Sequence, residues 1–534
     1  MNIELKPHYD VVISGAGPCG STMANMLGDY GISTLLIDVE ADILDIPRAV
    51  GMCDEGSRIL KAIGLDSKSD VDFLDVAKTN FTDKNMTSVF SIDMDSTING
   101  MRQQRTFYQP QLERGIRALH QRYECLDFSP STELTDFTDS GDNVDLTICR
   151  DGKNEILSCR FLVGCDGAKS PIRKKLNIGF GGRTYEQRWL IIDIENNPID
   201  SDEIDFSIDP RRPGITLPLP CGRRRWEFVV KDDDDVDELM SDCSLRQLLS
   251  PWGDFKTMGL ERKAIYAFHA RSATHYSRGN VFLAGDAAHI TPPFAGQGMM
   301  AGLRDAQNLS WKLAGVIQGA IKPEVLLTYQ EERIPHSKQI IRLAQWVGRL
   351  VLPQTKAKIV FRDIAIKALT LTGLYSADRG LAFEKVTNHI NGPMIKNLVV
   401  SHLLKKGFWF PQHNLSHNGE VRLFDYWAKN RFVIVTWDCD AKSLLPETLR
   451  DRWSALGGTF LRISSRENQT EFSDISGQYR QFFRRRETVL LRPDKMIAFH
   501  CKKEKLNRQL SRYIDSIATK NTESWTGELH EQSH

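Results

Sequence analysis

The sequence predicts an α/β fold built around a Rossmann-like nucleotide-binding unit. Three observations predict it. Asp10-Val11-Val12-Ile13-Ser14 is an almost unbroken β-branched run leading straight into Gly15-Ala16-Gly17-Pro18-Cys19-Gly20. Two later strands, Phe161–Gly164 and Val281–Ala284, run into Asp166-Gly167 and Gly285-Asp286 turns. From about Phe408 the texture changes to short strands with one terminal helix.

The first stretch suits a parallel strand covered on both faces. Beyond the glycines, Met23, Met26 and Leu27 share a helical face, Gly31 ends the helix, and Thr34–Ile37 makes a second strand closing on Asp38. In this strand, G-x-G-x-x-G, helix, strand, acid order each glycine has a task. Gly15 permits the tight turn, Gly17 lets the backbone approach a pyrophosphate, and Gly20 lets the helix pack on the strand. The helix start at Pro18 offers free N–H groups and a positive dipole end. Asp38 is placed to accept from ribose hydroxyls. The pattern does not separate NAD from FAD, and a ligand-free tight turn is its structural alternative.

Asp166-Gly167-Ala168-Lys169-Ser170-Pro171-Ile172-Arg173 reads as a turn with Ser170 capping a helix; its alternative is a surface cap with a solvated Arg173. Gly285-Asp286 is followed by Pro292-Pro293-Phe294-Ala295-Gly296-Gln297-Gly298 and a long helix with Leu303, Ala306, Leu313 and Ile317 in helical register. The carboxylate of Asp286 suits ribityl hydroxyls, and the helix start at Gly298 suits negative charge on a flavin pyrimidine ring. His289 sits among Ala and Pro with no acid next to it in sequence, which reads as structural rather than basic.

Together GAGPCG, Pro47-Arg48-Ala49-Val50, DGAKSPIR and GDAAH with PPFAGQG resemble the single-component FAD-dependent aromatic hydroxylases. The resemblance is closest to the 3-(3-hydroxyphenyl)propionate hydroxylase type, through Asp209–Pro213, Arg223–Phe228, Phe268–Arg271 and Val489–Asp494. It spans most of the chain. It implies a Rossmann-like FAD-binding domain over 1–350, with a β-sheet substrate domain inserted at about 80–110 and 180–275. A helical extension over 351–405, a thioredoxin-like domain over 406–520 and a polar tail over 521–534 would follow. That third unit lacks CxxC, so it reads as redox-inactive, serving packing or dimer contact.

The resemblance implies FAD contacts at Gly15, Gly17, Pro18, Gly20, Asp38, Arg48, Gln109, Asp166, Gly285, Asp286, Pro293, Gly296, Gly298, Met299 and Met300. Arg48 would lie on a loop that lets the isoalloxazine swing, Gln109 would reach the ribityl or pyrophosphate, and the Asp166 segment would also meet reduced nicotinamide. One departure stands out. The family commonly reads G-Q-G-x-N, whereas this chain has Gly296-Gln297-Gly298-Met299-Met300, so Met300 offers only a backbone N–H. The implied reaction takes NAD(P)H as co-substrate and O2, and transfers oxygen to a phenolic ring through a flavin C4a-hydroperoxide.

Candidates for substrate positioning or deprotonation are Arg48, Tyr185, Arg211, Arg225, Tyr266 and His269. Arg211 or Arg225 suits a substrate carboxylate. The structural alternatives are cross-strand pairing for Arg223–Arg225 and a core role for Tyr266 and Phe268. Two further functions stay open: hydroxylation of a larger polycyclic or quinolone-like ring, and a non-catalytic FAD-binding protein, for which Met300 speaks. A halogenase lacks its W-x-W-x-I-P segment.

Composition narrows the rest. At about 150 residues per domain, 534 residues suggest three to four domains. Lys plus Arg and Asp plus Glu both total 69, so no bulk positive field favours nucleic acid. No apolar run approaches the roughly 20 residues of a membrane span. The start, Met1 to Tyr9, is polar and lacks the regions of a signal peptide. Ten scattered cysteines form no CxxC, and Asp232–Asp235 reads as a solvated turn, so no metal site is expected. The expected setting is cytoplasmic, with a homodimer possible.

Overall fold

Five parallel strands lie side by side, and the fold is organised around their C-terminal ends. His8–Ser14 pairs with Thr34–Ile37 on one side and with Lys153–Gly164 on the other. Leu126–Ser129 extends the sheet beyond Thr34–Ile37, and Val281–Leu283 pairs with Lys153–Gly164. The computed structural model describes residues 4–65, 71–83, 85–209, 211–351, 394, 407–465, 472–483 and 487–519. The helical extension expected over 351–405 and the tail expected over 521–534 lie outside these, Val351 and Met394 excepted.

The strands are parallel because both faces are covered. Val11, Val12, Ile13, Leu35, Leu36, Leu162 and Val163 are all fully buried. The helices Pro18–Asp29 and Gly298–Ile317 lie on this sheet, and Cys19 Sγ donates to Gly302 O at 3.2 Å. Their N-terminal ends therefore meet at the crevice where strands carry their ligand loops. Three antiparallel pairings, through Thr132–Asp139, Val144–Arg150 and Ser277–Arg278, complete the eight strands.

A second eight-stranded sheet stands over the crevice, dominated by Phe180–Ile194 and Leu260–Ala273. Arg223–Val229, Gly214–Leu219, Ile204–Ser207 and Lys78–Thr82 follow in order. Its faces differ by the period of two. Leu190, Ile192, Ile194, Trp226 and Phe228 pack against Leu245, Leu249 and Met258 from short helices. Ile191, Ile215, Leu217 and Glu227 face the crevice.

The third sheet opens with the hairpin Asn414–His417 and Glu420–Leu423, and its centre is parallel Val433–Trp437 and Thr459–Ser464 around the helix Glu447–Ala455. The antiparallel pair Glu487–Leu491 and Ile497–Lys502 and the helix Leu506–Ile517 follow. This β-α-β then β-β-α order is the thioredoxin-like arrangement predicted. The turn between the last two strands docks on the first unit. Arg492 pairs with Glu332 at 2.6 Å and with Asp494, while Lys312 reaches Glu332 at 3.0 Å. Arg492, Glu332 and Lys312 are completely buried, so each needs the others. No helix among the described residues is long and apolar enough to cross a membrane.

Candidate active site

The glycine loop has little freedom at two positions. Gly15 has φ +105, and a Cβ there would come within 2.4 Å of Cys165 O. A Cβ on Gly20 would fall 1.9 Å from Gly15 O. A Cβ on Gly17 would meet nothing within 4 Å, because it would project into the open crevice. The helix beginning at Pro18 has no side-chain cap and no acid in its first turn, so its N–H groups face the crevice bare. Asp38 Oδ2 accepts from Ala16 N at 2.6 Å and Oδ1 accepts from Glu40 N at 2.9 Å. The acid thereby braces the loop that it borders.

The second helix start, Gly298, is likewise uncapped and free of first-turn acids. Gln297 just before it is held by Arg304 Nη2 at 2.9 Å, and Arg304 pairs with buried Glu55. Asp286 faces the crevice from the Gly285 turn. Its enclosure by the crevice wall raises its pKa, partly offset by His289 and Arg48. Behind it, His289 Nε2 meets Asp305 Oδ2 at 2.6 Å, and Arg333 Nε donates to Asp305 Oδ1 at 2.6 Å. His289 does have an acid partner, brought by the long helix rather than by its sequence neighbours. Burial pushes Asp305 up, but His289 and Arg333 outweigh it and hold the carboxyl at about 2.

The Arg48 segment is held from two sides. Gln109 Oε1 accepts from Arg48 N at 3.0 Å and from Ala49 N at 2.6 Å, and its Nε2 donates to Glu113 at 2.6 Å. Gln109 thus spends its amide on the protein. From the second sheet, Arg225 Nη1 donates to Arg48 O at 3.0 Å, Nη2 donates to Pro47 O, and Arg262 Nη1 donates to Pro47 O at 3.1 Å. Arg225 is itself paired bidentately with Asp193, at 2.6 and 2.9 Å, and both side chains are buried. Asp193 and Arg262 were not among the expected residues. The signal was present: Arg225 and Glu227 alternate on one strand face, and Asp193 lies opposite Arg225 in the register.

These loops and the second sheet enclose one cavity of about 1890 Å³. Of the expected cofactor residues, Gly15, Gly17, Pro18, Asp38, Arg48 and Gln109 line it. So do Asp166, Gly285, Asp286, Pro293, Gly296, Gly298 and Met299. Asp166 Oδ2 accepts from Ile172 N at 3.1 Å, which closes its turn. Gly20 lies beneath the loop, buried. Met300 does not reach the cavity. It is fully buried among Met26, Met52, Ile59 and Leu303, and a Cβ on Gly56 would come within 2.1 Å of its sulfur.

Of the expected substrate residues, Arg225 and Tyr266 line the cavity, the latter with Phe268 beside it. These two aromatics therefore face an open space and not a closed core. Phe268 packs edge-on to Phe294, ring centres 5.8 Å apart. Tyr185 stands behind Phe294, edge-on at 6.2 Å. His269 Nδ1 contacts Thr184 Oγ1 at 2.9 Å on the exposed edge of the sheet. Arg211 is 70% exposed and pairs with Asp209 at 2.7 Å. Tyr185, His269 and Arg211 are not among the cavity walls. Asp234, from the acidic run, pairs with Arg212 at 2.7 Å.

The comparisons with known proteins meet this geometry. Residues 8–344 match the family described as FAD binding domain, and residues 407–516 match the HcaD C-terminal domain. The chain is 30% identical over 516 residues to the 3-(3-hydroxy-phenyl)propionate/3-hydroxycinnamic acid hydroxylase of Burkholderia cenocepacia (strain HI2424), covering 93% of this chain and 95% of that protein. It belongs to the FAD-dependent aromatic hydroxylases. The corresponding hydroxylase of Escherichia coli (strain 55989 / EAEC) is 31% identical over 538 residues, covering 95% and 94%. The fold matches the flavin-dependent monooxygenase PieE, solved with FAD and substrate, at TM-score 0.78 and 19% identity, over 95% and 99% of the two chains. It also matches OxyS anhydrotetracycline hydroxylase from Streptomyces rimosus, at 0.75 and 24%, over 95% and 99%.

The residues of this hydroxylase fit FAD. The open side of Gly17 and the bare helix start at Pro18 suit the pyrophosphate, and Asp38 the adenosine ribose. Asp286 suits the ribityl chain, and the bare start of Gly298–Ile317 the electron-rich edge of the ring. The cavity exceeds the roughly 300–1,000 Å³ of a single-ligand pocket, so a second molecule fits beside the cofactor.

Proposed function

We propose that this FAD-dependent hydroxylase acts on a phenolic ring seated between the Arg48 segment and the apolar face of the second sheet, with NAD(P)H and O2 as co-substrates. The observation that supports this most directly is the single cavity joining two bare helix starts to a wall of Phe81, Phe90, Phe206, Ile215 and Phe268. Bound FAD supplies the reduction and oxygen-activation chemistry. The chain itself supplies binding, orientation and dryness. The aromatic wall keeps bulk water from the reacting ring. The start of Gly298–Ile317 favours negative charge on whatever lies against it. Arg225, braced by Asp193, sets the position of the Pro47 and Arg48 carbonyls, and so of the Arg48 side chain beside the cofactor.

A carboxylated phenol, the substrate named for the relatives, fits with one change of receiver. Arg211 lies outside the cavity, and Arg225 is committed to Asp193 and two carbonyls. Arg48 and Arg262 are the guanidinium groups left on the cavity wall of this region. A larger fused-ring phenol is the second reading, favoured by the size of the cavity. The reading also includes a cytoplasmic setting, supported by ten cysteines that are all free, and a homodimer.

The test is a panel of simple, carboxylated and fused-ring phenols, scored by stimulated NADH and NADPH oxidation and by product mass. A mass gain of one oxygen with one substrate class is expected. Equal oxidation with and without every phenol, yielding only peroxide, sinks the reading.

A further inference from the structure

We propose that Glu227 is the catalytic base that takes the hydroxyl proton of the phenolic substrate. This deepens the proposed function and rests on it. Glu227 sits mid-strand in Arg223–Val229, opposite Ile191 on one side and Ile215 on the other. All three face the cavity. It is a carboxyl flanked across the sheet by two apolar wall residues, and it takes no hydrogen bond from any described residue. Its nearest charge is Arg225 Nη1 at 3.7 Å, beyond hydrogen-bond reach. That guanidinium is already held by Asp193 and the Pro47 and Arg48 carbonyls.

A half-buried carboxyl with no hydrogen-bond donor costs free energy unless a ligand supplies one. Other carboxyls on the cavity wall have hydrogen-bond partners: Glu113 accepts from Gln109 Nε2 at 2.6 Å, and Asp38 accepts from the Ala16 and Glu40 N–H groups. Through Arg225, Glu227 also adjoins the clamp on the Arg48 segment.

The step balances within the substrate and this side chain. The substrate O–H breaks, its proton passes to a Glu227 carboxylate oxygen, and its electron pair stays on the phenolic oxygen. That pair raises electron density at the ring carbons ortho and para to it, where the oxygen atom from O2 is received. The hydroxylated carbon then loses its proton as the ring regains aromaticity; that proton leaves in the water formed from the second oxygen atom of O2, whose reducing electrons come from NAD(P)H, and Glu227 returns its own proton to the first oxygen. Burial raises the pKa of Glu227, Arg225 opposes this and Asp193 adds to it. Glu261 and Arg262 stand around the Arg225–Asp193 pair that acts on it. The base form is therefore lost at a higher pH than for an ordinary glutamate, near 4.3.

The test compares full-length, FAD-loaded wild type with Glu227→Gln and Glu227→Asp. The probes are 3-(3-hydroxyphenyl)propionate, 4-nitrophenol and a neutral fused-ring phenol. Glu227→Gln is expected to keep its FAD content and its Kd for the probe, measured by fluorescence quenching, within about threefold. It should lose about 100-fold in kcat, the lower end for a missing general base, and lose the acidic limb of the pH profile. Glu227→Asp should keep the limb with a smaller kcat loss, and it carries the test if the glutamine variant fails to hold FAD. Wild-type kcat and an unchanged acidic limb in Glu227→Gln, or unchanged kcat in Glu227→Asp, overturns the role of Glu227 alone. If wild type hydroxylates none of the probes, the phenol reading itself falls and takes the role with it.

Discussion

Single residues divide into those that shape the protein and those that only admit the ligand. Gly20 and Gly17 belong to the same six-residue loop, yet their surroundings differ. Gly20→Ala forces a Cβ to within 1.9 Å of Gly15 O, so the strand and helix must separate. This variant is expected to lose folded protein. Gly17→Ala adds a methyl to open space, which only the pyrophosphate would occupy. It should melt like wild-type apoprotein while losing most bound FAD, as read by thermal unfolding and by flavin absorbance after desalting. Equal FAD retention by the Gly17 variant would remove the phosphate assignment. At this scale Met300 also finds its place. Its side chain fills the gap over Gly56 in the core, so this position contributes packing and no side chain to the cavity wall.

Elements decide the chemistry behind the site. The helix Gly298–Ile317 brings Asp305 beneath the Gly285-Asp286 turn, where His289, Arg333 and the Gly285 N–H all converge on one carboxylate. Its folded pKa of about 2 lies below the unfolded value of 3.8. A depressed carboxyl contributes stability that is present above about pH 4 and is lost as pH falls towards 2. The difference corresponds to about 2 kcal/mol. Asp305→Asn should therefore lower the melting temperature at pH 7 and narrow the gap between melts at pH 7 and pH 3. An unchanged gap would show that other carboxylates govern acid stability. The strand Arg223–Val229 shows the same logic in a sheet. Its even face is core, through Trp226 and Phe228, while its odd face supplies Arg225 to the clamp and Glu227 to the cavity.

At the scale of the whole molecule, the thioredoxin-like unit is joined to the FAD unit by buried charge. Arg492 is hydrogen-bonded to Glu332 and Asp494, and Trp311 donates to Asp494 at 3.3 Å. Removing one member of such a network costs about 3–5 kcal/mol, because its partners remain buried. Arg492→Met should lower the unfolding midpoint and open cleavage between the units in limited proteolysis. A wild-type digestion pattern would count against the network as the joint. The unit itself has no dithiol: Cys439 and Cys501 are both free, and burial pushes the Cys501 thiol up to about 12, which suits packing and not exchange chemistry.

The nucleotide crevice was legible in the amino-acid order because each of its parts is local. A strand, a glycine turn and a helix start are contiguous in sequence, and so Gly15, Gly17, Asp38, Asp286 and Gly298 could be named from their neighbours. The substrate wall was not legible in this way. Which arginine faces the cavity and which is paired depends on partners far along the chain: Asp193 for Arg225, Asp209 for Arg211, the backbone of Pro47 and Arg48 for both Arg225 and Arg262. Gln109 lines the cavity and also holds the Arg48 and Ala49 N–H groups, partners that its sequence neighbours did not show. By itself the sequence determined the α/β class and a dinucleotide site, since loops and helix ends encode phosphate binding locally, while its resemblance to the aromatic hydroxylases implied the flavin and the reaction type. Only the tertiary structure decided which charged groups are spent within the protein, because burial and pairing are set by strand register and packing. It is that accounting which leaves Glu227 on the cavity wall without a hydrogen-bond donor.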